Sequence, residues 1–313
     1  MVKKGSITKK IFFALGTVNT LTVREIQGDG TDPAVRILER AKARVLELHK
    51  KLSVFDENSE IARINRYAGE KPVKVSEDTF ALIERAKRYS GASGGLFDIT
   101  LSPVTRLWKR ALKERRVPDG QDVNAALNLA DSEGIITDHA NVTVMLKDKG
   151  QQIELGSVAK GYAADEVRRI FREEGVNEGI IDLGGTVVNL GRVKKIGVQD
   201  PFAGRGKTFA VIDAGEEAVV TSGYYEQFFE QDGKIYHHII DPRTGRPSET
   251  DIAGVTLVGR SAEVLDALTT SAFIAGAEEA VGLIKQFGVE GAFVLKDRRV
   301  LVTKGLKKRF SFG

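Results

Sequence analysis

The sequence predicts an α+β fold in which mixed or antiparallel sheets pack against helices. Two observations carry this reading. Strand-like and helix-like segments are interspersed along the chain. Several of the strand segments are joined by short turn signals such as Asp148-Lys149-Gly150 and Asp232-Gly233, which mark hairpins. Interspersed helices with hairpins favour a sandwich over a doubly wound parallel sheet. No repeat, low-complexity tract or Pro-rich linker interrupts the chain, so residues 1–313 read as one domain, or as two intimately packed lobes of one.

The elements follow in order. Ile11 to Leu15, a break at Gly16-Thr17, and Val18 to Val23 read as a strand pair. Asp32-Pro33 opens a helix, with Asp32 as its cap and Pro33 at the first helical position. Val35, Leu38, Ala41, Val45 and Leu48 then recur at helical spacing. Ser76, followed by Glu77 and Asp78, opens a second helix through Phe80, Ile83, Ala86 and Tyr89, which Gly91, Gly94 and Gly95 end. Ile135-Ile136, Val142 to Leu146 and Gln152 to Leu155 read as strands, and Ala159 to Glu174 as a helix that stops at Gly175. Strands recur at Ile180 to Leu183, Val187 to Leu190, Phe209 to Ile212, Ala218 to Thr221 and Ile235 to Ile240. One long helix over Ala262 to Phe287 and two C-terminal strands complete the chain.

Composition narrows the chemistry. Of 313 residues 42% are apolar and 29% charged, enough to bury a sizeable core. The net charge of +4 suits an anionic substrate at one site better than a nucleic-acid footprint, because no Lys/Arg stripe dominates. Lys307-Lys308-Arg309 reads as a solvated tail. With no cysteine, disulfides, thiolate metal sites and cysteine nucleophiles are excluded. With only four histidines, a histidine metal cluster is not expected. No stretch reaches the roughly 20 apolar residues of a membrane span. The run Ile11 to Leu15 after Lys3, Lys4, Lys9 and Lys10 is too short for a signal-peptide core.

Four segments carry candidate chemistry. From Val264 to Ala277 the only charged residue is Asp266, and a lone carboxylate on an apolar helix is costly unless paired, hydrogen-bonded or metal-bound. Thr270, one turn on, shares its face, so the pair offers hard oxygen ligands suited to Mg²⁺. The structural alternative is that Asp266 compensates its helix N-terminus and Thr270 bonds back to its own helix. In Glu154 to Asp165 a strand runs through a Gly-containing turn into a helix, whose N-terminal N–H groups together with Lys160 could hold phosphate. A tight turn with an ordinary surface lysine is the alternative. Thr221-Ser222-Gly223 precedes His237-His238, two neighbours that point to opposite strand faces, so only one can face a site. That one is a candidate general base or a hydrogen-bonded core group. Gly94-Gly95 before Phe97 could let backbone approach a flat ligand, or simply lead a loop into a packed strand ahead of Trp108, the single Trp.

Taken together and in this order, these segments resemble the ApbE family of FAD:protein FMN transferases. The resemblance runs through Leu15-Gly16-Thr17, Asn58-Ser59-Glu60-Ile61 to Asn65, Leu96-Phe97-Asp98-Ile99-Thr100 with Pro103, and Leu155 to Tyr162. It continues through Thr221 to Gly223, His238 to Gly245, and Asp266 to Thr270, and so covers nearly the whole chain. The resemblance implies an ApbE-like, T-fold-related α/β sandwich. It implies one Mg²⁺ held by Asp266, Thr270 and the backbone carbonyl of Ala159, and FAD as substrate. FAD would sit among Phe97, Asp98, Thr100, Ser157, Lys160, Thr221, Ser222, Gly223 and His238. His238 rather than His237 would be the base, and Lys160 would help stabilise charge on the leaving phosphate. The implied reaction moves FMN from FAD onto a Ser or Thr of an acceptor protein as a phosphoester, with AMP leaving. The acceptor would be a respiratory flavoprotein bearing an Asp-x-x-Ser/Thr-Gly-Ala-Ser/Thr motif. Nucleic acid is not an expected partner.

The sequence departs from the family pattern in places. Gly184-Gly185 is followed by Thr186 where the family often has Asp, and Thr269-Thr270-Ser271 stands where Ala-Thr-Ala is usual. Members are commonly exported lipoproteins, whereas no cysteine here could accept a lipid. The expected location is extracytoplasmic, in the periplasm or at the outer face of the inner membrane, if an export segment has been removed; the cytoplasm is the alternative. Two other functions fit the same site: a FAD pyrophosphatase giving FMN and AMP, and a FAD-binding protein without chemistry. Ser90-Gly91-Ala92-Ser93 matches the end of the acceptor motif, but Lys87 stands at its acidic position, so it reads as a helix end rather than a self-modification site.

Overall fold

Eight antiparallel strands form the central sheet, and their spatial order differs from their order in sequence. Across the sheet run Ile7–Ala14, Thr17–Arg24, Gly179–Leu183, Thr186–Leu190, Ala218–Gly223, Ile252–Gly259, Glu290–Leu295 and Val300–Val302. These features come from a computed structural model, which describes residues 7–24, 33–204 and 206–313. The first two strands pair from Ile7↔Arg24 to Ala14↔Thr17, leaving Leu15 and Gly16 as a two-residue turn with φ of 53° and 75°. Positive φ at both positions matches the right-handed strand twist. Asp232-Gly233 closes the hairpin Phe228–Gln231/Lys234–His237 in the same way, with φ of 52° and 72°.

Eight helices lie among the described residues: α1 Pro33–Leu52, α2 Glu60–Arg66, α3 Glu77–Ala92, α4 Ser102–Glu114, α5 Gly120–Leu127, α6 Ala159–Glu173, α7 Ala262–Ala275 and α8 Ala277–Gln286. Their apolar stripes and one face of the central sheet make the main core, with Leu21, Ile181, Val220 and Leu257 from strands meeting Leu38, Val45, Val167 and Leu268 from helices. Alternate residues Val219, Val258 and Ala292 point to the opposite face. There they meet Val198, Ala210 and Ile212 of a three-stranded sheet formed by Lys194–Gln199, Thr208–Ala214 and Phe310–Phe312. A smaller core joins α4 to the Asp232-Gly233 hairpin through Val104, Trp108, Phe229 and Ile240.

The α+β class with antiparallel sheets agrees with expectation, and several local readings are corrected. The expected helix over Ala262 to Phe287 is two helices: Gly276 takes φ of 82°, and the Ala277 N–H restarts the helix by donating to Asp251 Oδ1 at 3.1 Å. Among the described residues the segment Gln152 to Leu155 pairs with no strand. Instead the Asn65 side chain acts as a strand substitute, accepting from Ile153 N–H at 2.8 Å and donating to Ile153 O at 2.9 Å. The strand expected over Ile235 to Ile240 stops at His237, because the next residues leave the hairpin and Ile240–Asp241 pairs with Arg246–Pro247. Asp32, expected to cap α1, lies outside the described residues. Ser90 and Ser93 are buried at the end of α3.

Candidate active site

The close approach of α6 to α7 builds the floor of the site. Gly161 makes that approach feasible: a Cβ there would stand 2.3 Å from Ala262 O and 2.6 Å from Glu263 Cα. Asp165, one turn further along α6, fastens the contact. Its carboxylate accepts from Ser261 Oγ at 2.8 Å, Ala262 N–H at 3.0 Å and Glu263 N–H at 3.2 Å, and so caps the N-terminus of α7 from outside.

This docking sets Asp266 against the start of α6. Asp266 is 4% exposed. Its Oδ2 accepts from Gly161 N–H at 2.9 Å, and Lys160 Nζ stands 3.2 Å from Oδ1. The carboxylate is therefore turned toward α6 rather than toward its own helix. The hydroxyls that bond back to α7 are Thr269, donating to Asp266 O at 3.0 Å, and Ser271, donating to Ala267 O at 3.2 Å. Thr270 makes no such bond and lines a cavity with Asp266.

That cavity holds about 390 Å³ and collects most of the residues singled out in the sequence. Phe97, Asp98, Ser157, Lys160, Ser222, His238, Asp266 and Thr270 all line it. Four others do not. Thr100 is buried beneath and donates its hydroxyl to Asp98 Oδ1 at 2.6 Å, helping to fix that carboxylate. The Thr221 hydroxyl is 2.9 Å from that of Thr256 and borders a neighbouring cleft. Gly223 leaves room for the Tyr225 ring, since a Cβ would lie 2.2 Å from it. Ala159 opens α6 beside Lys160 and is itself buried.

His237 and His238 part company as expected of neighbours on an extended chain. His237 turns inward, its Nε2 3.1 Å from Ser248 O and its ring edge-on to Phe273. His238 faces the cavity, with Nδ1 3.3 Å from Gln227 O. A carbonyl can only accept, so Nδ1 carries the proton and the Nε2 lone pair is free for other work. Burial, reinforced by the positive charges of Lys160 and Lys109 and opposed by the Gln227 carbonyl, pushes the His238 pKa down to about 4. The imidazole is therefore neutral at pH 7. Burial has the opposite effect on Asp98 and raises its pKa, against the hydrogen bonds from Thr100.

The cavity wall also contains groups to which the sequence assigned no role in the site. Trp108 stacks on Tyr236 with ring centroids 5.8 Å apart, and its Nε1 donates to Gly245 O at 2.8 Å. It thereby ties α4 to the turn after His238. Thr105, Lys109 and Glu154 form another wall, with Lys109 Nζ 2.6 Å from Glu154 Oε2. The helical spacing of Val104, Trp108 and Ala111 was the available signal for α4, together with Pro103 in its first turn. Glu226 and Gln227 carried no signal, because a short 3₁₀ turn after Gly223 brings them in. Among the described residues, no group of three or more His, Asp or Glu side chains gathers as a ready-made metal cage.

Comparison with known proteins places this arrangement in context. The ApbE family model matches residues 15–293. A FAD:protein FMN transferase of Klebsiella pneumoniae (strain 342) is 36% identical over 278 residues, spanning 87% of this chain and 88% of the relative. One from Treponema pallidum (strain Nichols) is 34% identical over 277 residues, spanning 82% of this chain and 76% of the relative. The crystal structure of the ApbE protein from Thermotoga maritima superposes with a TM-score of 0.89 at 30% identity, covering 97% of this chain and 99% of the other. The apo flavinyl transferase ApbE of Pseudomonas stutzeri superposes with a TM-score of 0.86 at 26% identity, covering 100% and 99%.

Proposed function

Because the chain belongs to the ApbE family, we propose that it takes FMN from FAD and joins it to a Ser or Thr hydroxyl of an acceptor flavoprotein. One observation carries the reading. Asp266 and Thr270, a turn apart on α7, open onto the same cavity as Lys160 and His238. An oxygen pair, a cation and a neutral imidazole around one space are what a diphosphate and an incoming hydroxyl require.

In the proposed reaction the acceptor oxygen bonds to the FMN-side phosphorus of FAD. The bond from that phosphorus to the bridging oxygen breaks, and AMP leaves with the bridging oxygen and its electron pair. His238 Nε2 takes the hydroxyl proton. Its neutral state at pH 7 leaves that lone pair available. Lys160 lines the cavity near the N-terminal end of α6, and the two would offset the charge that grows on the leaving group. Trp108 and Leu112 give the cavity an apolar wall that limits competing water.

Magnesium fits the residues present. Asp266 is a buried carboxylate whose cationic neighbour is a single lysine, and Thr270 adds a hydroxyl with no hydrogen-bond partner among the described residues. Hard oxygen donors in small number suit an ion that keeps places for phosphate oxygens. Asp266, Thr270 and the Ala159 carbonyl would hold it. When bound, it supplies positive charge that draws electron density from the diphosphate.

The acceptor class follows the same reading: a respiratory flavoprotein presenting Asp-x-x-Ser/Thr-Gly-Ala-Ser/Thr. The test is intact-mass spectrometry of such an acceptor after incubation with this protein, FAD and MgCl₂. A mass increase equal to one FMN phosphoester, with one AMP released per acceptor modified, is expected. FMN and AMP release with the acceptor mass unchanged would mean hydrolysis, and intact FAD would mean binding without chemistry; either result overturns the proposal.

A further inference from the structure

A second cavity, of about 580 Å³, lies between α2 and α4 and shares Lys109 with the catalytic cavity. Two arginines line it. Arg66 Nη2 donates to the Glu57 backbone carbonyl at 3.0 Å, and Arg106 Nη1 donates to Gln152 Oε1 at 2.8 Å. Both guanidiniums are exposed, and neither has a carboxylate partner among the described residues. Some other arginines, such as Arg36, Arg40, Arg169 and Arg192, are held by glutamates, whereas Arg63 likewise donates to a backbone carbonyl, that of Lys74, at 3.3 Å. Planar guanidiniums presented on neutral oxygens keep their carboxylate-binding edges in reserve.

Two further features point to an occupant. Ser102, 1% exposed in the cavity lining, has an Oγ with no hydrogen-bond partner among the described residues. A buried hydroxyl left unpaired is costly, and a bound main chain could satisfy it. Phe55, at the cavity edge, is 84% exposed, more than any other large apolar side chain among the described residues. Exposed aromatics beside a groove are typical anchors for a partner. Glu57 is the one acidic side chain of the lining.

We infer that this groove is the docking track for an acidic segment of the acceptor protein, which enters along Arg66 and Arg106 and delivers its hydroxyl past Lys109 to the catalytic cavity. The inference rests on the proposed transferase activity but adds what selects the partner: carboxylates flanking the modified residue. Phe55 would pack against an apolar side chain of that segment, and Ser102 would meet its backbone.

The test uses the full chain and two fluorescein-labelled peptides, each containing Asp-x-x-Thr-Gly-Ala-Thr, flanked by Glu in one and by Gln in the other. Fluorescence anisotropy should show the Glu peptide binding about tenfold tighter at low salt, the scale of two surface charge pairs. Added salt should erode the difference. R66E/R106E should abolish the preference and leave FAD affinity unchanged; R66Q/R106Q gives the same reading should the charge reversal fail to fold. Equal binding of the two peptides, binding of neither, or a preference surviving in the variant overturns the inference. Loss of FAD affinity in the variant also overturns it, by assigning the groove to the dinucleotide. Failure of the transferase reading is seen separately, as an absence of flavin mass on both peptides while anisotropy still reports charge preference.

Discussion

Lys160 Nζ stands 3.2 Å from Asp266 Oδ1, so a single ion pair joins the first turn of α6 to the middle of α7 beneath the catalytic cavity. The two partners differ in burial, with side chains 25% and 5% exposed respectively. The lysine can relax toward solvent if the pair is lost, whereas the carboxylate cannot. Replacing the lysine is therefore the harsher change for the protein without metal. K160M should cost about 1–2 kcal/mol, less than a fully buried pair because Gly161 N–H still reaches Asp266. Differential scanning fluorimetry should show a lower Tm, and MgCl₂ should raise the Tm of K160M more than that of the wild type.

Two glycines on helices separate packing from propensity. Gly161→Ala would force α6 away from the Ala262 backbone and pull Lys160 from Asp266. It should destabilise by about 1–3 kcal/mol and abolish transfer, despite the better helix propensity of Ala. Gly282→Ala on α8 meets nothing within 4 Å. That change should stabilise by up to about 1 kcal/mol and leave activity unchanged. Urea denaturation of the two variants checks both signs.

The pH dependence follows from His238. Its folded pKa of about 4 lies below the usual value near 6.5. As pH falls, the unfolded chain takes up this proton first, so the folded state loses stability from about pH 6.5 down to about pH 4 and none above. The buried His237, also pushed down to about 4, adds to the same slope. H238Q should flatten part of the decline. For catalysis, the acid limb of kcat/KM for FAD should fall near pH 4 in the wild type. A limb centred above pH 6 would exclude the depressed imidazole pKa described above.

Much of the site was legible in the sequence because its chemistry sits at helix starts and turns, where residue type has local consequences. A lone Asp on an apolar helix, a Lys in the first turn of another, and paired histidines each marked a candidate, while spacing left a purely structural reading open for every one. What spacing could not decide was the partner of each group. Asp266 and Lys160 are 106 residues apart, and only the contact of α6 with α7 brings them together. The role of Gly161 likewise depends on a neighbour distant in sequence. The fold was read less fully where side chains replace backbone partners. Asn65 stands in for a strand beside Ile153, and Asp251 restarts a helix after Gly276. Periodicity sees neither device. α4 was missed although its apolar residues keep helical spacing, because the preceding glycines and Phe97 drew that stretch into a loop reading.

The central claim is that Asp266 and Thr270 hold a divalent cation beside the dinucleotide. The most direct measurement is Mn²⁺ binding in the presence of FAD, counted by electron paramagnetic resonance of the free ion. Wild type should bind one Mn²⁺ per chain, T270V should bind it more weakly, and a folded D266A should not bind it. If folded D266A takes up Mn²⁺ as tightly as the wild type, the cation site lies elsewhere and the account is contradicted.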